Sequence, residues 1–304
     1  MTLLAPLART APLGFAAALA TSTAACGADD SLGTGTLEVV VTGEDAAKTG
    51  FPFEEDGERI ALADDWTIVF SQVLLSIGEL EVTGSGGDTA VASTDRWIVD
   101  LHAGDPSLGR YGGLPARRWE QLGFVIPRAA TGARLGDAVS TAAGEQMIAA
   151  GATHLLTGTA TRGSTSVGFE LVLVNPTRSS SCTNGADGKQ GVVIANGGAA
   201  EVEITIHLDH LFWDSLGSEE ARLRFDAWAG ADALGDADGR VTTDELALQP
   251  LSDLKGADGT SPLGVVYDSG SVPLAAQHLG AFVGASASSM AHLNGDGLCT
   301  ISAL

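Results

Sequence analysis

Ala200-Glu-Val-Glu-Ile-Thr-Ile-His-Leu-Asp209 is the stretch of sequence that decides the fold class. Apolar and polar side chains alternate along it without a break. Val202, Ile204 and Ile206 would share one face of a strand, because successive strand residues point to opposite faces. The pattern therefore predicts a half-buried β-strand, with one face in a core and the other towards solvent.

Apolar, β-branched runs separated by Gly, Asp and Pro turns precede this strand. They cover residues 36–41, two segments of 66–82 divided at Gly78, 96–102, 119–127, a hairpin of 154–162 and 166–175, and 192–195. Helices are predicted over residues 135–150 and 272–291. So many short strands, with so few helices between them, indicate a sheet-on-sheet arrangement rather than alternating β and α units.

We predict a mainly β protein whose body, residues 36–212, is an antiparallel two-layer sandwich of the Ig or prealbumin type. Residues 213–304 are predicted to form a small helical and loop region. This region is glycine-rich and too small for a robust core of its own, so we expect it to pack on the sandwich.

Residues 1–25 are predicted to be the signal peptide of a lipoprotein. They carry one charged side chain, Arg9, and an apolar run over residues 11–20 that is too short to cross a bilayer of about 30 Å as a helix. The small residues before Cys26 resemble a lipobox, in which the cysteine is acylated and becomes the new N-terminus. Thr23 stands where that motif prefers leucine, and secretion without lipidation is the alternative.

Residues 26–35 have the polar composition of a flexible tether between a lipid and a folded body. We therefore expect an exported protein that is held by lipid in the bacterial cell envelope, in the outer membrane or facing the periplasm. The membrane is then the partner of the N-terminus.

The chain has three cysteines, an odd number for a protein in an oxidising compartment. Lipidation of Cys26 would remove the odd one. Cys182 and Cys299 could then form one disulfide, and two buried free thiols are the alternative.

The formal net charge of −22 argues against nucleic acid or anionic lipid as a partner. Cations are the ligands that such a surface attracts, although acidity also serves solubility.

Leu234-Gly-Asp-Ala-Asp-Gly-Arg-Val-Thr-Thr-Asp-Glu245 resembles the twelve-residue calcium loop of an EF-hand. Asp236 and Asp238 match alternate carboxylate positions, Gly239 matches the turn, and Glu245 matches the bidentate last position. The resemblance implies Ca²⁺ as the cofactor of an EF-hand-like loop over residues 234–245.

The loop departs from the motif at its first position, where Leu234 replaces aspartate. Asp232, two residues earlier, is the residue that could supply the missing oxygen. The candidate calcium ligands are Asp232, Asp236, Asp238, Arg240, Thr242 and Glu245. The alternative is a capping box, in which Thr242 and Glu245 only close the start of a helix.

His207-Leu-Asp-His210 is a second candidate site, for a transition metal. On an extended strand His207 and Asp209 would share the solvent face, whereas His210 would point the other way. Copper or zinc would need a further ligand, and His292 is the expected contributor. The alternative is that His207 is an exposed strand residue and His210 a hydrogen-bonded structural one.

Several segments together resemble a family of uncharacterised bacterial lipoproteins with a β-sandwich body. These segments are the lipobox, Trp97-Ile-Val-Asp-Leu101, His207-Leu-Asp-His210 and His292-Leu-Asn-Gly-Asp-Gly-Leu-Cys299. The chain is also similar to the copper-associated partner of the metallo-mystery pair, although it lacks the four-cysteine pattern of that family. The second resemblance implies metal binding without catalysis.

Signatures of catalysis are missing from the sequence, including the Gly-x-Ser-x-Gly elbow, His-Glu-x-x-His, a phosphate loop and a dinucleotide fingerprint. We therefore expect a binding or structural module, with calcium in the 234–245 loop, rather than an enzyme. A transition-metal-binding protein is the first alternative. An envelope hydrolase is the second, because carboxylate pairs leave no spacing signature.

Overall fold

The computed structural model describes residues 33–55, 57–218, 220–254 and 267–304. Strands make up 44% of the described residues and helices 17%, so the prediction of a mainly β protein is confirmed. The predicted signal peptide, the predicted lipidation residue Cys26 and most of the predicted tether lie outside the described residues.

The strands of the described residues are β1 Thr34–Thr42, β2 Phe53–Glu55, β3 Glu58–Ile60, β4 Thr67–Thr83, β5 Thr89–Ala92, β6 Arg96–Asp100, β7 Ser107–Pro115, β8 Arg118–Trp119, β9 Gln121–Ile126, β10 Arg134–Leu135, β11 His154–Arg162, β12 Thr165–Leu173, β13 Thr177–Ser180, β14 Thr183–Asn184, β15 Lys189–Gln190, β16 Val192–Val193, β17 Ala199–Ile206, β18 Arg240–Thr242, β19 Ala291–Leu293 and β20 Thr300–Ala303. The α-helices are α1 Glu44–Thr49, α2 Thr141–Ala150, α3 Asp226–Asp232, α4 Thr243–Leu246 and α5 Leu279–Ala287, and 3₁₀ helices cover Leu208–Phe212 and Leu251–Leu254.

Two predicted helices begin later than the sequence pattern indicated, because a side chain caps the start of each of them. The Ser140 hydroxyl accepts a hydrogen bond from the Ala143 backbone, so α2 begins after Ser140. The His278 imidazole accepts one from Ala281 and starts α5 in the same way. The apolar residues before each cap lie in strands or loops.

The strand predicted over residues 200–209 is β17, which belongs to a four-stranded sheet with the order β19-β17-β1-β7. Its predicted inward residues, Val202, Ile204 and Ile206, are fully buried. β17 pairs with β1 in parallel and with β19 in antiparallel orientation. The sheet is therefore mixed, whereas the sequence pattern had suggested antiparallel pairing only.

A larger sheet has the order β18-β12-β11-β4-β9-β13-β20, and β5 and β6 also pair with β4. Its central strand, β4, runs without interruption through Gly78, where the sequence suggested a turn. A Cβ at Gly78 would meet the Asp95 carbonyl oxygen at 2.1 Å, so glycine is needed for close approach of two strands. A register shift in the pairing with β9 between Gly78 and Glu81 lets the strand continue.

One hydrophobic core joins the inward faces of the two largest sheets, consistent with a β-sandwich. β1 contributes Leu37, Val39 and Val41, which are fully buried, and β4 contributes side chains such as Ile68 and Phe70. A smaller cluster lies under α2 around Met147. Burial of this apolar area, at about 25 cal/mol per Å², is the main term that stabilises the fold.

The C-terminal region, residues 213–304, contributes strands as well as helices. β18 pairs with β12, β19 with β17, and β20 with β13, so the region extends both sheets. The sulfur atoms of Cys182 and Cys299 are 2.02 Å apart, at disulfide distance, and connect the loop after β19 to the loop after β13.

His154, the first residue of β11, is buried with one ring nitrogen unpartnered. The Thr153 hydroxyl donates to the Leu173 carbonyl, so it accepts at 3.0 Å from His154 Nδ1. Nε2 is then a lone-pair acceptor without a partner among the described residues. A proton there would create an uncompensated charge, and burial lowers the pKa of His154 from 6.5 to about 4.

We predict that His154 makes the protein less stable in acid. Its pKa is lower in the folded than in the unfolded chain, so only the unfolded chain takes up this proton between pH 6.5 and about 4. The free energy of unfolding should fall by about 3 kcal/mol across this window through His154 alone. Urea unfolding of wild type and His154→Leu at neutral and acid pH measures the difference, and equal losses in both proteins would contradict the prediction.

Candidate metal centre

The predicted histidine pair lies where β17 ends. The strand stops at Ile206, and the chain enters the 3₁₀ helix Leu208–Phe212 directly after His207. A 3₁₀ helix has about three residues per turn, so His207 and His210 return to the same side. Their rings stack with centroids 5.5 Å apart. The expectation that His210 points away was wrong, because it extended the strand beyond Ile206.

His292 joins this pair from the neighbouring strand. It lies on β19 opposite Thr205 of β17. Its ring centroid is 4.6 Å from that of His207 and 5.5 Å from that of His210. The structure therefore brings together all three histidines of the predicted set, from a strand end, a 3₁₀ helix and a second strand.

Asp296 also lies at the cluster, although it is not among the ligands predicted from the sequence. His207, His292 and Asp296 each offer one ligand atom, and these atoms lie within 4.8 Å of one another. The sequence around Asp296 reads as a simple Asn-Gly-Asp-Gly turn, which gave no signal of a metal ligand. This group includes neither His210 nor the predicted Asp209. Burial raises the pKa of the Asp209 carboxyl.

His207 is held between carboxylates on both sides of its ring. Nδ1 is 3.2 Å from Glu44 Oε2, and Nε2 is 3.5 Å from the Gly295 carbonyl oxygen and 3.9 Å from Asp296 Oδ1. Burial opposes protonation of His207, but the hydrogen bond and charge of Glu44, together with the charge of Asp209, outweigh it. They raise the pKa of His207 from 6.5 to about 9.

His210 is neutral, and its hydrogen bonds fix which nitrogen is free. Ser289 Oγ donates its only hydrogen to the Ser286 carbonyl at 2.8 Å. It must therefore accept from His210 Nδ1, 3.1 Å away, which leaves the lone pair on Nε2. Burial, then the nearby His207 and His292, lower the pKa of His210 to about 3. The ring also stacks on Trp213, with centroids 3.7 Å apart.

His292 has one buried nitrogen without a partner. Among the described residues no hydrogen-bond partner reaches its Nδ1. Burial, reinforced by the charge of His207, lowers the pKa of His292. The cluster thus offers neutral imidazoles at His210 and His292, and nitrogen lone pairs are the donors that zinc and copper accept.

An acidic cleft of about 360 Å³ borders the histidine cluster. Glu44 lines it together with Glu55 and Glu203. Burial, reinforced by the charge of Glu44, raises the pKa of Glu55 and of Glu203. The crowding of carboxylates gives this side of the cluster a negative field that attracts cations.

The loop that resembles an EF-hand forms a second group of oxygen ligands. α3 ends at Asp232, and the carboxylates of Asp232, Asp236 and Glu245 each place an oxygen within 4.8 Å of the others. Asp232 thus contributes a carboxylate to the loop, whose first position is occupied by Leu234 instead of aspartate. A Cβ at Gly235 would meet Glu245 Oε1 at 2.2 Å, so the loop closes tightly on Glu245.

The other predicted calcium residues face different partners. Asp238 Oδ1 accepts from the Arg240 backbone at 2.8 Å, and the Arg240 guanidinium pairs with Glu170 at 2.8 Å. Thr242 caps α4 in a complete capping box with Glu245, the alternative that the sequence had left open.

The oxygens of the loop are partly occupied by its own donors. Glu245 Oε2 accepts from the Thr242 backbone at 2.8 Å, and Asp232 Oδ1 accepts from Gly239 at 3.2 Å. A calcium ion would therefore share these oxygens with backbone N–H groups.

Among the described residues, no helix combines the length and apolar character needed to cross a membrane. No family model, no curated protein sequence and no solved structure matches this chain.

Proposed function

We propose that this chain is a non-enzymatic metal-binding protein of the bacterial cell envelope. Its site would hold zinc or copper through His207, His292 and Asp296, whose ligand atoms lie within 4.8 Å of one another, with the His210 ring beside them. The observation that carries the proposal is the convergence of three imidazoles from three separate elements, with centroids 4.6 to 5.5 Å apart. Histidines that only support a core have no reason to lie side by side. A tetrahedral metal site, in contrast, needs several ligands around one point.

The chemistry of the donors supports a borderline transition metal rather than calcium at this position. Imidazole suits zinc and copper, whereas calcium takes oxygen ligands almost exclusively. Asp296 has a side chain that is 98% exposed, so the metal would be reachable from solvent. The acidic cleft beside the cluster would draw cations towards it.

The location is part of the same proposal. Lipidation at Cys26 would tether the folded body through residues 26–35, as in the lipoprotein family that the sequence resembles. The disulfide-distance pair Cys182 and Cys299 fits an oxidising compartment outside the cytoplasm.

A finer description of the fold is also proposed. The two larger sheets would stack as an Ig- or prealbumin-like sandwich, with the EF-hand-like segment packed on it. The shared core of β1, β4 and β17 supports the stacking.

We predict that His207→Ala and His292→Ala each abolish stoichiometric zinc binding. The loss of affinity should be at least the 10- to 100-fold typical of changes beside a metal ligand, because a ligand itself is removed. Isothermal titration of the metal-free protein with Zn²⁺ and with Cu²⁺ provides the measurement. His102→Ala is the matched control, because His102 lies outside the cluster and bonds the Ala47 carbonyl. Wild-type protein that binds neither metal would end the proposal.

A second function, calcium binding at the 234–245 loop, is favoured by one specific observation. Asp232 reaches the carboxylates of Asp236 and Glu245 although it precedes the expected first position. We propose this loop as a weak calcium site that stabilises the C-terminal region, since its ligand set has fewer carboxylates than a full EF-hand.

Calcium should raise the melting temperature of wild-type protein, and Asp232→Asn or Asp236→Asn should remove the rise. At a calcium concentration about 100 times the dissociation constant, the added stability is about 2.7 kcal/mol. Asp253→Asn is the control, because this exposed carboxylate accepts from the neighbouring Ser252 hydroxyl and lies outside the 234–245 loop. A melting temperature that is insensitive to millimolar calcium, or a shift that survives both substitutions, would rule the loop out.

A further inference from the structure

We infer that Glu44 is a positioning residue of the proposed metal centre, whose carboxylate orients His207 so that Nε2 faces the metal. The inference rests on the proposed function and adds to it a residue that no sequence motif indicates. It concerns a residue outside the set of direct ligands.

The orientation follows from hydrogen-bond chemistry. Glu44 Oε2 lies 3.2 Å from His207 Nδ1, and an ionised carboxylate can only accept. Nδ1 must therefore carry the hydrogen. Nε2 points away from Glu44, towards the Gly295 carbonyl oxygen at 3.5 Å and Asp296 Oδ1 at 3.9 Å. Because a carbonyl can only accept, Nε2 carries a hydrogen without a metal, and a bound metal would displace it. A carboxylate that fixes the tautomer of a ligating histidine is a common second partner of protein-bound metals.

The sheet topology brings the two residues together. β1 and β17 pair in parallel, and Thr42 is the register partner of Thr205. Glu44 and His207 each follow two residues later, at the same end of adjacent strands. Antiparallel pairing would have placed Glu44 at the opposite end of β17.

The backbone of Glu44 is held in a conformation that glutamate rarely adopts. Its φ is +54°, in the left-handed region, where side chains with a Cβ are disfavoured. The Glu44 N–H donates to Thr42 Oγ1 at 2.9 Å, and the Thr42 hydroxyl donates to Asp105 Oδ1 at 2.6 Å. Such strain persists only where surrounding contacts enforce it, and it concentrates at functional sites.

Nearby acidic residues provide a matched comparison. Glu54 lines the same cleft and is exposed, but no hydrogen bond or ion pair connects it to His207 among the described contacts. If only the negative charge of the cleft matters, substitutions of Glu44 and of Glu54 should weaken zinc binding equally. If Glu44 positions His207, only the substitution of Glu44 should weaken it.

The test is titration of the full chain with Zn²⁺ in wild type, Glu44→Ala, Glu44→Gln and Glu54→Gln. We expect Glu44→Ala to weaken zinc binding by about 10- to 100-fold. Glu44→Gln should restore part of the affinity, because its amide oxygen still accepts from Nδ1. Glu54→Gln should bind as wild type does.

Nitrogen NMR of the zinc-bound imidazoles reports the tautomer of His207. This tautomer would not change if Glu44 only stabilised the fold. We expect the His207 Nδ1 proton to be retained in wild type and Glu44→Gln, and the fixed tautomer to be lost in Glu44→Ala. If wild type binds zinc and Glu44→Ala binds equally well with the same tautomer, the inference is overturned and the proposed function stands. If wild type binds no zinc, both fail.

Discussion

The candidate metal centre depends on the way in which β17 is paired on its two edges. On one edge β17 runs parallel to β1, in a register that joins Thr42 to Thr205. On the other edge it runs antiparallel to β19, in a register that places His292 beside Thr205. Residues from three distant parts of the chain therefore meet at one strand end, and a shift of one residue in either register would turn their side chains to the opposite face.

The loop after β19 is fixed to the same strand by its own hydrogen bonds. Asn294 exchanges two bonds with Glu203, through its backbone N–H and its side-chain oxygen, and Gly295 N–H donates to Thr205 Oγ1. Cys299, at disulfide distance from Cys182, holds the far end. Asp296 thus reaches His207 from a loop that is anchored on both sides although the side chain itself is exposed.

The sequence predicted the strand but not its end or its neighbours. Alternation in β17 gave the buried face correctly, because that signal is local and has a period of two. Leu208 is buried in the 3₁₀ helix as it would be on a strand, so the pattern continued past Ile206 and misplaced His210. His292 could be predicted as a further metal ligand only because it is a histidine, since no local pattern indicates that it lies beside β17. Glu44 and Asp296 left no local signal, since their roles depend on pairing between strands far apart in the chain.

The two groups of candidate ligands differ in how far the protein satisfies them without a metal. In the loop, Glu245 and Asp232 already accept backbone hydrogen bonds, and the capping box gives Glu245 a structural purpose. In the histidine cluster His207 also has partners, Glu44 and the Gly295 carbonyl, but His292 keeps a buried nitrogen without a partner among the described residues. Buried polar atoms are seldom left unpaired, because their desolvation costs about 1 to 3 kcal/mol. A bound cation would remove that cost at His292, whereas at the loop it would have to compete with bonds already made. This difference, more than the number of ligands, favours the histidine cluster as the functional centre.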